Sequence, residues 1–206
     1  MAIIGPNYVF LHIPKTAGTW IEKILCDHCE GKRNRSWQHD FIGENNHVCS
    51  ETSQPLPSKA YLGKTIFTFI RHPFSWYQSW WAFRRPLYNV RRRDWVLDLI
   101  RLQDNDSSKD PRDFSQFIDL ATEYEQGYLG RLYIQFLRNV DFIGRFENLY
   151  EDLILITGKL GYKLNEEMIK GYPPTNKSEN KPELTDRLKD KIAASERTAL
   201  SLWENL

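Results

Sequence analysis

Two short runs of β-forming residues, 8–13 and 65–70, each break off at a proline-containing turn and pass straight into a helical pattern. Nothing else in the chain restricts its fold as much. A nearly continuous apolar run such as Tyr8-Val9-Phe10-Leu11-His12-Ile13 suits a strand covered on both faces, which is the environment of a parallel sheet. A third run, residues 141–146, leads into a helix with Leu149, Leu153, Ile156 and Leu160 on one face. Strands alternating with helices predict an α/β domain with a parallel β-sheet flanked by helices and a P-loop-like phosphate-binding loop after the first strand.

The remaining elements follow from spacing. Trp20, Ile21, Ile24, Leu25 and Cys26 predict a helix over about 17–28, and Pro73 suits the first turn of one carrying Trp76, Tyr77, Trp80 and Trp81. Residues 30–64 are polar and without period, and a loop that long inside a domain is usually functional. Helices are expected at about 113–125 and 127–138, then a loop from Pro173-Pro174 to Pro182. Thr185 is the expected N-cap of a final helix through Leu188, Ile192, Leu202 and Trp203. No repeat or boundary stands out, so residues 1–206 are expected to form a single domain with a helical, variable insert about 84–140.

Charge narrows the functions. The 28 basic and 27 acidic residues leave a net charge of +1, unlike the basic domains that bind nucleic acid. Anion recognition must then be local. No basic stretch followed by an apolar one opens the chain, and no apolar run reaches the ~20 residues of a membrane span. A cytoplasmic location is the corresponding expectation. Three cysteines, Cys26, Cys29 and Cys49, leave three states open: free thiols, a Cys29–Cys49 disulfide, or a zinc site with His47.

The chemistry is concentrated in His12-Ile13-Pro14-Lys15-Thr16-Ala17-Gly18-Thr19-Trp20. A loop from a buried strand to a helix N-terminus presents N–H groups and the positive end of the helix dipole to an anion. Gly18 is expected to let the backbone approach an oxyanion, Thr16 and Thr19 to add hydroxyls, and Lys15 to add a full charge. The triphosphate-binding pattern G-x-x-x-x-G-K-[ST] puts lysine after its glycines, with a hydroxyl on Mg²⁺. Here Lys15 precedes the loop's only glycine, and the second strand ends on Arg71 rather than on a metal-binding acid. Cations without a metal carboxylate suit an anionic donor that works without a metal ion.

On these residues, Pro14-Lys15-Thr16-Ala17-Gly18-Thr19 resembles the 5'-phosphosulfate loop of the sulfotransferases that use PAPS (3'-phosphoadenosine 5'-phosphosulfate), especially those related to carbohydrate sulfotransferases. Arg71-His72-Pro73-Phe74-Ser75-Trp76-Tyr77-Gln78-Ser79 resembles the same family's 3'-phosphate motif, with an arginine at the strand end and a serine eight residues on. A looser similarity covers residues 144–149 and the segment from Asn176 onward. The resemblance implies donor contacts from Lys15, Thr16, Ala17, Gly18, Thr19, Trp20, Arg71 and Ser79. It also implies PAPS as donor, PAP as product, a carbohydrate or small-molecule acceptor, and no required metal.

Sulfuryl transfer in line from a phosphate leaving group depends on position and electrostatics, and Lys15 is the natural partner of the bridging oxygen. The acceptor's proton needs a base. Among Glu30, His39, Asp40, Glu44, His47 and Glu51, His47 stands where the family's histidine does, with His39 or a loop carboxylate as alternatives. Arg84-Arg85 and Arg91-Arg92-Arg93 fit either a solvated surface or an anionic acceptor. Two competing functions share the fold: a nucleotide kinase or NTPase, marked by magnesium dependence, and a nucleotide-binding domain without turnover.

Overall fold

A computed structural model describes residues 2–33, 39–41, 53–84, 109–173 and 181–206. Five strands form one sheet: β1 (Ala2–Ile4), β2 (Tyr8–Leu11), β3 (Lys32–Arg33), β6 (Thr65–Ile70) and β7 (Phe142–Arg145), in the order β3-β1-β2-β6-β7. Two more strands, β4 (His39–Phe41) and β5 (Ser53–Pro55), pair in parallel as a separate two-stranded sheet. The helices are α1 (Gly18–His28), α2 (Pro73–Arg84), α3 (Phe114–Tyr124), α4 (Tyr128–Phe136), α5 (Leu149–Lys159), α6 (Glu166–Lys170), α7 (Asp186–Ser195) and α8 (Arg197–Glu204).

The expected parallel sheet is corrected to a mixed one. Strands β2, β6 and β7 are parallel, but β1 runs antiparallel to both β2 and β3. The cause is a hairpin that three apolar residues, Ala2 to Ile4, were too few to announce. Gly5 N–H donates to the Tyr8 carbonyl at 2.9 Å. A side chain at Gly5 would begin 2.1 Å from the Tyr8 ring, so the chain can reverse there only without one. The long polar segment also holds more order than its composition predicts: β3, β4, β5 and a 3₁₀ turn at Ser58–Ala60.

The chain divides into two compact units, passing from the first to the second after Arg71 and back again after Leu132. The first holds the sheets with α1, α5, α6 and the second half of α4. Its core brings Phe10, Phe67 and Phe69 of the sheet against Ile21, Ile24 and Leu25 of α1 and Leu153 and Ile156 of α5. The sheet residues come from the apolar runs, and the helix residues from the faces that helical spacing selected.

The second unit holds α2, α3, α7, α8 and the start of α4. Asp113 caps α3 by accepting from Gln116 N–H, a partner an N-cap aspartate commonly takes. Trp76 and Trp80 stack one turn apart on α2, with rings 5.1 Å apart and 13° from parallel. The final helix is two: α7 ends at Ser195 and α8 begins at Arg197. Between them Glu196 is fully buried and accepts from the N–H groups of Leu129 (3.2 Å) and Gly130 (3.0 Å) and from the Tyr77 hydroxyl (2.6 Å). Thr185 stands at the N-cap of α7 as expected, but its side chain makes no capping bond.

Candidate donor-binding site

Because β2 and β6 are parallel neighbours, both turns that follow them leave the same edge of the sheet. In open α/β sheets this carboxyl edge is where ligands bind. The first turn is shaped by backbone rather than by glycine. Lys15 and Ala17 both take left-handed conformations, with φ of 69° and 64°, and Ala17 is the N-cap residue of α1. A left-handed residue followed by a right-handed helix start turns successive N–H groups toward one concavity, a common anion-binding arrangement.

Gly18 also meets a constraint that its sequence does not announce. Its φ is not positive, and a Cβ there would stand 1.8 Å from Cδ2 of His12. The imidazole lies against the loop from below, stacked on Phe10 at 6.3 Å and 14°. Thr16 is fully buried and donates its hydroxyl to the Ile13 carbonyl at 2.8 Å, closing the loop on itself. Thr19 is exposed on the outer side of α1. Trp20 turns into the core: its indole N–H donates to the Tyr172 carbonyl at 3.1 Å, its ring meets Tyr150 edge-on, and its amide bonds to the Ala17 carbonyl.

Arg71 follows the last residue of β6 and is only 4% exposed. Its Nη1 donates to the Lys15 carbonyl at 3.1 Å, which joins the strand-end cation to the first loop. Its main chain is held by one phenol: Arg71 N–H donates to Tyr133 Oη at 3.0 Å, and that hydroxyl donates to the Arg71 carbonyl at 2.5 Å. The guanidinium carbon lies 3.9 Å above the centre of the Phe146 ring. Burial pulls the Arg71 guanidinium down to about 10, with Glu147 and Tyr133 acting the other way, so it stays a cation at neutral pH.

A model of the sulfotransferase family matches residues 5–200. The chain belongs to the sulfotransferase family. No curated protein and no solved structure matches it significantly. Membership makes this protein an enzyme, a PAPS-dependent sulfotransferase that takes PAPS and an acceptor. Among the described residues, no helix is long and apolar enough to cross a membrane.

Ser79 of the sulfotransferase lies on α2 in the second unit and is 8% exposed. The favoured base, His47, lies outside the described residues, as do Glu44, Glu51, Arg85 and the triple arginine 91–93. His39 falls on β4, and Glu30 is exposed with φ of 56°. Cys26 and Cys29 are free thiols, and burial pushes Cys29 up to about 12. Cys49 lies outside the described residues. Sequence reasoning missed Tyr133 and Phe146. A tyrosine at core spacing on a helix carries no mark of its partner, whereas Phe146 stood in a stretch already similar to the family.

Proposed function

We propose that this sulfotransferase moves the sulfuryl group of PAPS onto a hydroxyl or amine of a carbohydrate or small-molecule acceptor. The observation that carries this reading is the hydrogen bond from Arg71 to the Lys15 carbonyl. It links a strand-end cation with a lysine-bearing helix-start loop, as a donor charged at both its 3' and 5' ends requires. The loop suits an anion on its own chemistry: left-handed Lys15 and Ala17, a lysine side chain, and a helix N-terminus close together.

In this reading the N–H groups of residues 15–19 and the Lys15 ammonium hold the 5'-phosphosulfate, with Trp20 securing the helix from behind. Arg71 and Ser79 hold the 3'-phosphate. The bond from sulfur to the phosphate oxygen breaks as a bond from the acceptor atom to sulfur forms. Lys15 neutralises the charge left on the oxygen, and the acceptor's proton passes to a base, for which we propose His47. PAP is the leaving product.

Turnover of labelled PAPS across hydroxyl and amine acceptors tests the reading. Lys15→Ala should lower kcat about 100-fold or more, the scale of losing one preorganised oxyanion partner. His47→Ala should keep PAP affinity while losing the acid limb of the pH–rate profile. A Lys15→Ala enzyme with unchanged kcat would remove the lysine from the mechanism.

A further inference from the structure

Arg71 lies one residue beyond the last paired position of β6, and Phe146 one residue beyond its partner on β7, since Ile70 and Arg145 are in register. The ladder therefore delivers the arginine and the phenylalanine side by side at the carboxyl edge. At 3.9 Å from the ring centre the guanidinium carbon is over the face of Phe146, where the negative charge of the π system attracts a cation. Phe146 is half-buried, so its ring is not simply core filling. Tyr133 fixes where the arginine side chain begins, by bonding both main-chain groups of Arg71. Phe146 lies where that side chain ends.

We propose that Phe146 is the positioning residue for Arg71, a shelf that holds the guanidinium in place before the donor arrives and so sets the preference for a 3'-phosphorylated nucleotide. This rests on the reading that Arg71 takes the 3'-phosphate. An arginine free to sample rotamers would lose that freedom on binding. The ring under the guanidinium, together with the Lys15 carbonyl that accepts from Nη1, removes that freedom ahead of binding. The ring acts through Arg71 and touches no reacting atom.

Calorimetric titration with PAP and with AMP, which lacks the 3'-phosphate, tests it. Phe146→Leu should weaken PAP about 3- to 30-fold, the range of a partly desolvated cation–π contact, and AMP by less than about 2-fold. Phe146→Tyr, which keeps the ring, should retain PAP affinity. Trifluorophenylalanine at position 146 keeps the shape but drains the ring face, and should give an intermediate loss even where the leucine variant folds poorly. In an Arg71→Ala background, Phe146→Leu should cost PAP nothing further.

Equal losses for PAP and AMP, a fluorinated variant that binds like wild type, or a loss that persists without Arg71 would each overturn the proposal. Arg71→Ala alone separates this from the reading beneath it. If that variant loses PAP and AMP equally, the assignment of the 3'-phosphate to Arg71 falls. If it is selective for PAP while Phe146→Leu is not, only the shelf falls.

Discussion

Lys15 and Ala17 hold left-handed backbone with side chains attached, an arrangement that costs on the order of 1 kcal/mol at each residue. A site for an anion can retain that strain where a merely structural turn would take glycine. Ala17→Gly should therefore raise stability by about 1 kcal/mol, a gain of roughly 2–4 °C in Tm for a chain of this length. PAP affinity should hold or fall, because the glycine also loosens the loop. A lower Tm in the glycine variant would show that the alanine methyl is packed rather than strained. His12 and Gly18 form a second such pair, since the glycine's missing side chain is the space the imidazole occupies. The sequence marked Gly18 as special but hid this packing reason, which lies across the loop at His12.

Among the elements, the break between α7 and α8 is the one whose chemistry overrides its pattern. The sequence from Thr185 through Trp203 read as one helix, yet Glu196 leaves it to cap the start of α4 and meet Tyr77. Burial raises the Glu196 carboxyl above its usual range, with the Tyr77 and Gly130 bonds acting against it. An acid raised in the folded state contributes stability that is fully present below its unfolded value near 4.5 and declines as pH rises through the folded value. Urea unfolding of Glu196→Gln, a permanently neutral stand-in, should show its stability relative to wild type improving from pH 4 to 8. The opposite trend would mean that the three donors outweigh burial. The three parallel strands β2, β6 and β7 and the helix faces were legible because each depends on neighbours in sequence. The β1 hairpin and the Glu196 break were not, because each depends on a partner far along the chain.

At the scale of the whole molecule, near-neutral charge means that donor affinity must come from the site and not from a general field. PAP at about 100 times its Kd should then stabilise the protein by about 2.7 kcal/mol without any divalent metal, a shift of roughly 5–10 °C. Differential scanning fluorimetry with PAP, AMP and magnesium-ATP checks this. Stabilisation by magnesium-ATP alone would contradict the assignment of the two loops to PAPS. The mixed sheet also sets an order of events during synthesis. Strands β1 and β2 meet across a tight reversal and can zip as soon as they emerge. The Leu11 carbonyl waits 57 residues for the Thr68 hydroxyl, and Asp141 lies 75 residues beyond its partner Ile66. The edge that carries Lys15 and Arg71 is therefore finished late, by closures of high sequence separation that are intrinsically slow. A nascent chain released before β7 would expose the open side of β6, so the interval before residue 145 emerges is where folding helpers have the most to protect.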